Sequence, residues 1–212
     1  MSQIIQPFNA EILKKASKLL SEGKLVCFPT ETVYALSADA TNDEAVEHIY
    51  TAKGRDHQKP LSLLVKSATQ ITTLCHMDNR AHALLEAFSP GPLTLVLRLK
   101  SEHHLSPLIN PGMATIGVRI PDHPIAQAVL HEVPFPLIGT SANLSGKEAT
   151  VTHEQVDHDL GKDVALIIQN QATTASGVAS TIVDLSGDDV TFLRIGNITK
   201  QQILDALHLS RK

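Results

Sequence analysis

Asn9-Ala-Glu-Ile12-Leu13-Lys-Lys-Ala16-Ser-Lys-Leu19-Leu20-Ser-Glu-Gly23-Lys-Leu25-Val-Cys-Phe28-Pro29 carries two hydrophobic periods in one short stretch. Ile12, Leu13, Ala16, Leu19 and Leu20 recur at helical spacing, with Asn9 as the cap and Gly23 as the stop. Leu25 to Phe28 is then a short, wholly apolar strand closed by Pro29. A helix feeding directly into a buried strand is the repeating unit of α/β architecture.

The pattern extends along the chain. Thr41 with Glu44 reads as a capping box for a helix that turns Ala45, Val46, Ile49 and Ala52 inward and ends near Lys53-Gly54. Further helices are expected at 79–88, 125–130, 152–160 and 199–207, and strands at 61–65, 93–99, 115–120, 137–139, 165–168, 181–185 and 190–195. Several strands are joined by loops alone, which predicts a mixed sheet rather than a strictly parallel one. No repeat or Ser/Gly-rich linker divides the 212 residues, so one domain is expected. The stretch between Ser101 and Ala114, rich in His, Pro and Gly, reads as a long loop of the kind that often serves as a lid.

Composition excludes several classes. At 42 % apolar and 19 % charged the chain has the material for a core, which intrinsic disorder lacks. A net charge of −4 offers no bulk attraction to nucleic acid or a membrane. No apolar run approaches the ~20 residues of a membrane span. Met1-Ser-Gln-Ile-Ile lacks the basic start of a secretion signal, and two cysteines make neither a disulfide framework nor a zinc cluster. A cytoplasmic protein is the expectation.

Familiar catalytic signatures are missing. The sequence holds no phosphate-loop, dinucleotide or nucleophile-elbow motif, and its eleven histidines have no metal-ligand spacing. Polar residues in unusual places remain. Thr30, Glu31 and Thr32 follow the first apolar strand, either as an ordinary turn or as hydroxyls at the strand end lining a pocket. Lys53-Gly-Arg55-Asp-His-Gln-Lys59-Pro60 sets three cations at a helix end. There they either complement the helix dipole or grip an oligophosphate. Gly139-Thr-Ser-Ala-Asn-Leu-Ser-Gly146 gathers Thr140, Ser141, Asn143 and Ser145 after another apolar strand, more polar side chains than one turn requires. Together they describe an anion-handling site at strand ends.

In order and spacing these residues resemble the YrdC/Sua5 family. The likeness is carried by Pro29-Thr-Glu-Thr-Val-Tyr-Ala-Leu36, by Lys53-Gly-Arg55 with Lys59-Pro-Leu, and by Ser141-Ala-Asn143. The family hallmark is a K-x-R element followed far downstream by S-x-N. Ser89-Pro-Gly-Pro-Leu-Thr94, Thr115-Ile-Gly-Val-Arg119-Ile-Pro, Ser180-Thr-Ile-Val-Asp184 and Arg194-Ile-Gly196 extend it from about Leu13 to Leu207. The resemblance implies a single α/β domain, a twisted mixed β-sheet with flanking helices and a concave basic cavity.

It also implies an activity: threonylcarbamoyl-AMP made from L-threonine, bicarbonate or CO₂ and ATP, with release of diphosphate. Downstream transfer proteins would use the product for the t6A modification of tRNA, with weak tRNA contact at most. Mg²⁺ would accompany ATP, held mainly through the phosphates and without a protein metal site. Matched motif by motif, Lys53, Arg55, Ser141 and Asn143 would be catalytic. ATP would be held by these four with Lys59, Thr115 and Arg194. Threonine would be held by Thr32, Arg119, Thr140 and Ser180, Arg119 suiting its carboxylate.

Three departures stand out: Ala35 where Gly is usual, Asp56 where Pro is common, and Leu64 where some relatives place a threonine-contacting His. A related branch shares Tyr-Ala-Leu but lacks K-x-R and S-x-N, so keeping both implies the active form. An alternative is an RNA-binding or ribosome-maturation module using the same concave face. Net charge −4 with two Tyr, five Phe and no Trp offers it little phosphate attraction or base stacking.

Overall fold

Asn9 accepts the Ile12 amide at 2.9 Å and so starts the first helix where the sequence places it. A computed structural model describes residues 4–170 and 175–209, so Met1 to Gln3, read above for a leader, lie outside the described residues. In chain order the elements are β1 (Ile5–Pro7), α1 (Ala10–Ser21), β2 (Val26–Phe28), β3 (Ala35–Ser37), α2 (Asp43–Lys53) and β4 (Ser62–Leu64). Next come α3 (Ala68–Leu74), α4 (Asn79–Phe88), β5 (Leu93–Arg98), β6 (Thr115–Arg119), α5 (Pro124–Glu132), β7 (Leu137–Ile138) and β8 (Thr140–Ser141). α6 (His153–Leu160), β9 (Leu166–Gln169), β10 (Thr181–Asp184), β11 (Thr191–Arg194) and α7 (Lys200–Leu209) complete the fold.

The mixed sheet is present as two sheets. One has five strands in the order β1-β9-β2-β3-β8, the other six in the order β11-β10-β5-β6-β4-β7. Both mix parallel and antiparallel pairs: β9 runs parallel to β1 and β2, and β2 antiparallel to β3. β4 runs parallel to β6 and antiparallel to β7.

Two apolar clusters hold the layers. Ile12, Ala16 and Leu20 of α1 meet Ala126, Val129 and Leu130 of α5 over Val26, Phe28 and Leu166 of the five-stranded sheet. The larger cluster packs Tyr34, Ile49, Leu63, Ile71, Leu84, Leu95, Val118 and Ile203. Phe28 is fully buried, and truncating such a side chain to Ala typically costs about 3–5 kcal/mol.

One local expectation is corrected. The cap of α2 is Asn42, whose side chain accepts the Ala45 amide at 3.1 Å; Thr41 instead donates its hydroxyl to Asp39 at 2.7 Å. The segment from Ser101 to Ala114 is strapped to the core and lines no part of the cavity described below. Ile109 is fully buried and accepts the Leu61 amide, and Tyr50 donates to the carbonyl of Leu108 at 3.0 Å. No helix of the described residues is long and apolar enough to cross a membrane.

Candidate active site

The stretch from Leu137 to Ser141 belongs to both sheets. Its first half, β7, pairs with β4 in the six-stranded sheet, and its second half, β8, pairs with β3 in the five-stranded one. Gly139 is the crossing point. Its amide donates to the Ser62 carbonyl at 2.8 Å, and a Cβ there would lie 2.3 Å from Cγ of Leu64. Only a residue without a side chain fits against Leu64 at this approach. Residues of both sheets wall a cavity of about 290 Å³ beside the crossing.

Eight of the expected site residues line this cavity: Thr32, Arg55, Arg119, Thr140, Ser141, Asn143, Ser180 and Arg194. Among the described residues every ionisable side chain in the lining that carries charge at neutral pH is cationic: Arg55, Arg119, Arg194 and Lys147. The sequence reading missed Lys147; its only signal was its place just beyond the S-x-N turn. Its ammonium lies 3.7 Å from Asp159 and remains largely exposed.

At one end of the cavity the polar groups form a directed chain. Arg119, 8 % exposed, donates Nη2 to Thr32 Oγ1 at 2.9 Å and to Glu31 Oε1 at 2.7 Å, and Nε to the Gly91 carbonyl at 3.2 Å. Thr30 donates its hydroxyl to the Val33 carbonyl at 2.6 Å, so its 2.9 Å contact with Thr32 must be Thr32 donating. In the same lining Arg194 donates Nε to the Ser180 carbonyl at 2.9 Å and Nη2 to Ser180 Oγ at 3.1 Å, and Ser180 meets Thr94 at 2.8 Å. Burial lowers the Arg194 pKa, and Arg119 lowers it further.

Three of the expected residues do not line the cavity. Lys53 is 2 % exposed and lies behind the S-x-N turn, donating its ammonium to the carbonyls of Ser141 at 2.5 Å and Asn143 at 2.6 Å. Burial first, then the neighbouring Arg55, lower its pKa to about 8. Lys59 is exposed, and its carbonyl accepts Nε of Arg55 at 3.2 Å. Thr115 opens β6, four residues and ~13 Å of strand before Arg119, with its carbonyl accepting from Asn110.

The loop chemistry of the site is self-contained. Gly54 caps α2 in the left-handed conformation, at φ 56°, and the reversal returns Arg55 toward Pro60, whose carbonyl it reaches at 3.0 Å. Asn143 donates Nδ2 to the carbonyls of Leu144 and Lys147, at 2.8 and 2.9 Å, which leaves its buried Oδ1 without a partner. Among the described residues every positive φ belongs to glycine, so Ala35 has an ordinary backbone that alanine adopts without strain. Leu64 fills part of the cavity wall with hydrocarbon. Cys27 is fully buried and burial raises its pKa, which agrees with an inert core thiol.

Residues 18–196 match the model of the Sua5/YciO/YrdC family, described as "Telomere recombination". The chain belongs to this family. A threonylcarbamoyl-AMP synthase of Bacillus subtilis is 42 % identical over 196 residues, 92 % of this chain and 56 % of the relative. The crystal structure of Pyrococcus abyssi Sua5 complexed with L-threonine superposes with a TM-score of 0.89 at 34 % identity. It covers 96 % of this chain and 59 % of that one. The E. coli YciO structure gives 0.82 at 27 % identity, over 96 % of this chain and all of the other. The chain therefore spans little more than half the length of its Bacillus and Pyrococcus relatives.

Proposed function

We propose that this chain condenses L-threonine, bicarbonate or CO₂, and ATP into threonylcarbamoyl-AMP, releasing diphosphate. The observation that carries the reading is the convergence of Arg55, Arg119, Arg194 and Lys147 with buried hydroxyls on one cavity without a carboxylate in its lining. The Bacillus relative's name and the threonine bound in the Pyrococcus structure support it.

In this reaction the threonine amine adds to the carbon of CO₂ to form a carbamate. A carbamate oxygen then attacks the α-phosphorus, and the bond to the β-phosphate breaks with its electrons leaving on diphosphate. The chain's task in this nucleotidyl transfer is placement and charge, since no side-chain nucleophile is consumed. Arg119 with Thr32, and Thr140 and Ser180 of the same lining, would hold threonine. Arg55 and Lys147 would meet the phosphates, and Ser141 and Asn143 the nucleotide, Asn143 Oδ1 accepting the partner that it lacks. Holding three reactants in line is worth ~7–11 kcal/mol. Among the described residues no three His, Cys, Asp or Glu side chains gather as a metal site. Mg²⁺ accompanying ATP would be held mainly through its phosphates, whose charge it would help neutralise.

The product would serve tRNA modification through downstream transfer proteins. Purified chain with labelled ATP should release diphosphate only when threonine and bicarbonate are both present. Release that ignores threonine would overturn the assignment.

A further inference from the structure

Arg119 meets a carboxylate that belongs to the protein itself. Its Nη2 donates to Glu31 Oε1 at 2.7 Å, while the second carboxylate oxygen, Oε2, is buried and has no hydrogen-bond partner. Nε is taken by Gly91 and Nη2 is shared with Thr32, so Nη1 is the edge of the guanidinium that makes no hydrogen bond among the described residues. The backbone on which Glu31 sits is fixed, because the Glu31 and Thr32 carbonyls accept the amides of Ser176 and Gly177, each at 2.9 Å. The site thus offers an open cationic edge beside a buried anion with one unsatisfied oxygen.

We infer that Glu31 is a positioning residue that makes the amino-acid end of the cavity selective for a zwitterion over a simple anion. An α-amino acid carries its carboxylate and ammonium two bonds apart, so a carboxylate on Nη1 brings the ammonium toward the Glu31 carboxylate. Glu31 stands behind the lining rather than in it, so its pull on that ammonium is Coulombic and acts across the Arg119–Glu31 pair. The charge balance works in the same direction. Arg119 neutralised by Glu31 has little attraction for a bare anion, whereas unpaired it would sit near Arg194 as a second positive charge and attract bicarbonate and phosphates. These anions are co-substrates or products of the proposed reaction, on which this inference rests, so the amino-acid end needs a device that keeps them out.

The test compares L-threonine with 3-hydroxybutyrate, which is threonine without its amine, by calorimetric titration of the intact chain. Wild type should bind threonine at least tenfold more tightly than 3-hydroxybutyrate. Glu31→Gln should bring the two within about threefold. Glu31→Asp, which keeps the charge but withdraws it by one methylene, should fall between. A merely structural Glu31 would weaken both ligands equally and leave their ratio where it was; that result in either variant overturns the inference. Should Glu31→Gln fail to fold, the Glu31→Asp ratio decides alone. Absence of any threonine binding by wild type would instead sink the reaction itself, and this inference with it.

Discussion

Lys53 places its ammonium 2.6 Å from the carbonyl oxygen of Asn143, ninety residues further along the chain. Its own carbonyl accepts the Ser145 amide at 2.8 Å, so the lysine is bonded to the S-x-N turn from both of its ends. The K-x-R and S-x-N elements are thus one structural unit, in which the lysine supports the turn and the arginine faces the cavity.

The proton on Lys53 links this unit to pH. Its pKa falls from 10.5 to about 8, so between these values the unfolded chain holds a proton that the folded chain has released. Stability contributed by this group therefore rises with pH across that window and is level on either side of it. Lys53→Met removes the titration. The stability of wild type relative to Lys53→Met should increase by up to about 3 kcal/mol between pH 8 and 10.5. Denaturant melts at matched pH measure it, and a difference that stays flat contradicts the buried ammonium.

Arg55 should behave otherwise. The carbonyls that it bonds belong to Lys59 and Pro60, both exposed, so water replaces the guanidinium when it is removed. Arg55→Ala should keep its stability within about 1 kcal/mol of wild type. Loss of a charged phosphate donor, worth ~1.5–3 kcal/mol, should raise the KM for ATP roughly ten- to a hundredfold. Steady-state diphosphate release with thermal melts separates the two effects. A wild-type KM would mean that Arg55 only complements the helix end.

Gly139 and Leu64 should be coupled. A methyl group at Gly139 meets the Leu64 side chain, so Gly139→Ala should cost about 1–3 kcal/mol by overpacking. Leu64→Ala alone leaves a void, at ~2–5 kcal/mol. The double variant should be less destabilised than the sum by about 1 kcal/mol or more, because the truncated leucine makes room for the new methyl. Additive losses in a double-mutant cycle would show that the strand, not the leucine, yields.

What could be read from the sequence was whatever carries a period. Each helix with an apolar stripe and each strand with an apolar run is present, with ends shifted by a residue or two, as at β2 and α5. α3 was not legible because it buries only Ile71 and carries β-branched threonines, leaving Ser67 and its bond to Gln70 as the one signal. β3 and β8 are two or three residues long and exist by tertiary pairing, β3 between β2 and β8 and β8 against β3, so Thr140 and Ser141 read as loop. The motifs named the cavity-facing residues well, but spacing alone does not say which face a cation takes. Lys53 points behind the turn, and Thr115 lies outside the cavity lining, at the opposite end of β6 from Arg119. Glu31 was visible only as one residue of a polar run, since its partner lies 88 positions away.

The strand order β1-β9-β2 has a consequence for how the protein comes into being. β1 and β2 never touch as a ladder; residues 166–169 must slide between them, pairing in parallel with both. On a ribosome adding ~5–20 residues per second, the first two strands must wait roughly seven to thirty seconds for that third one to emerge. Until then Val26, Cys27 and Phe28 present an apolar edge with no neighbour on that side, the kind of surface that pairs with the wrong chain. The nascent chain is therefore most vulnerable to aggregation during nearly its whole synthesis, and a chaperone that covers β2 would protect it most.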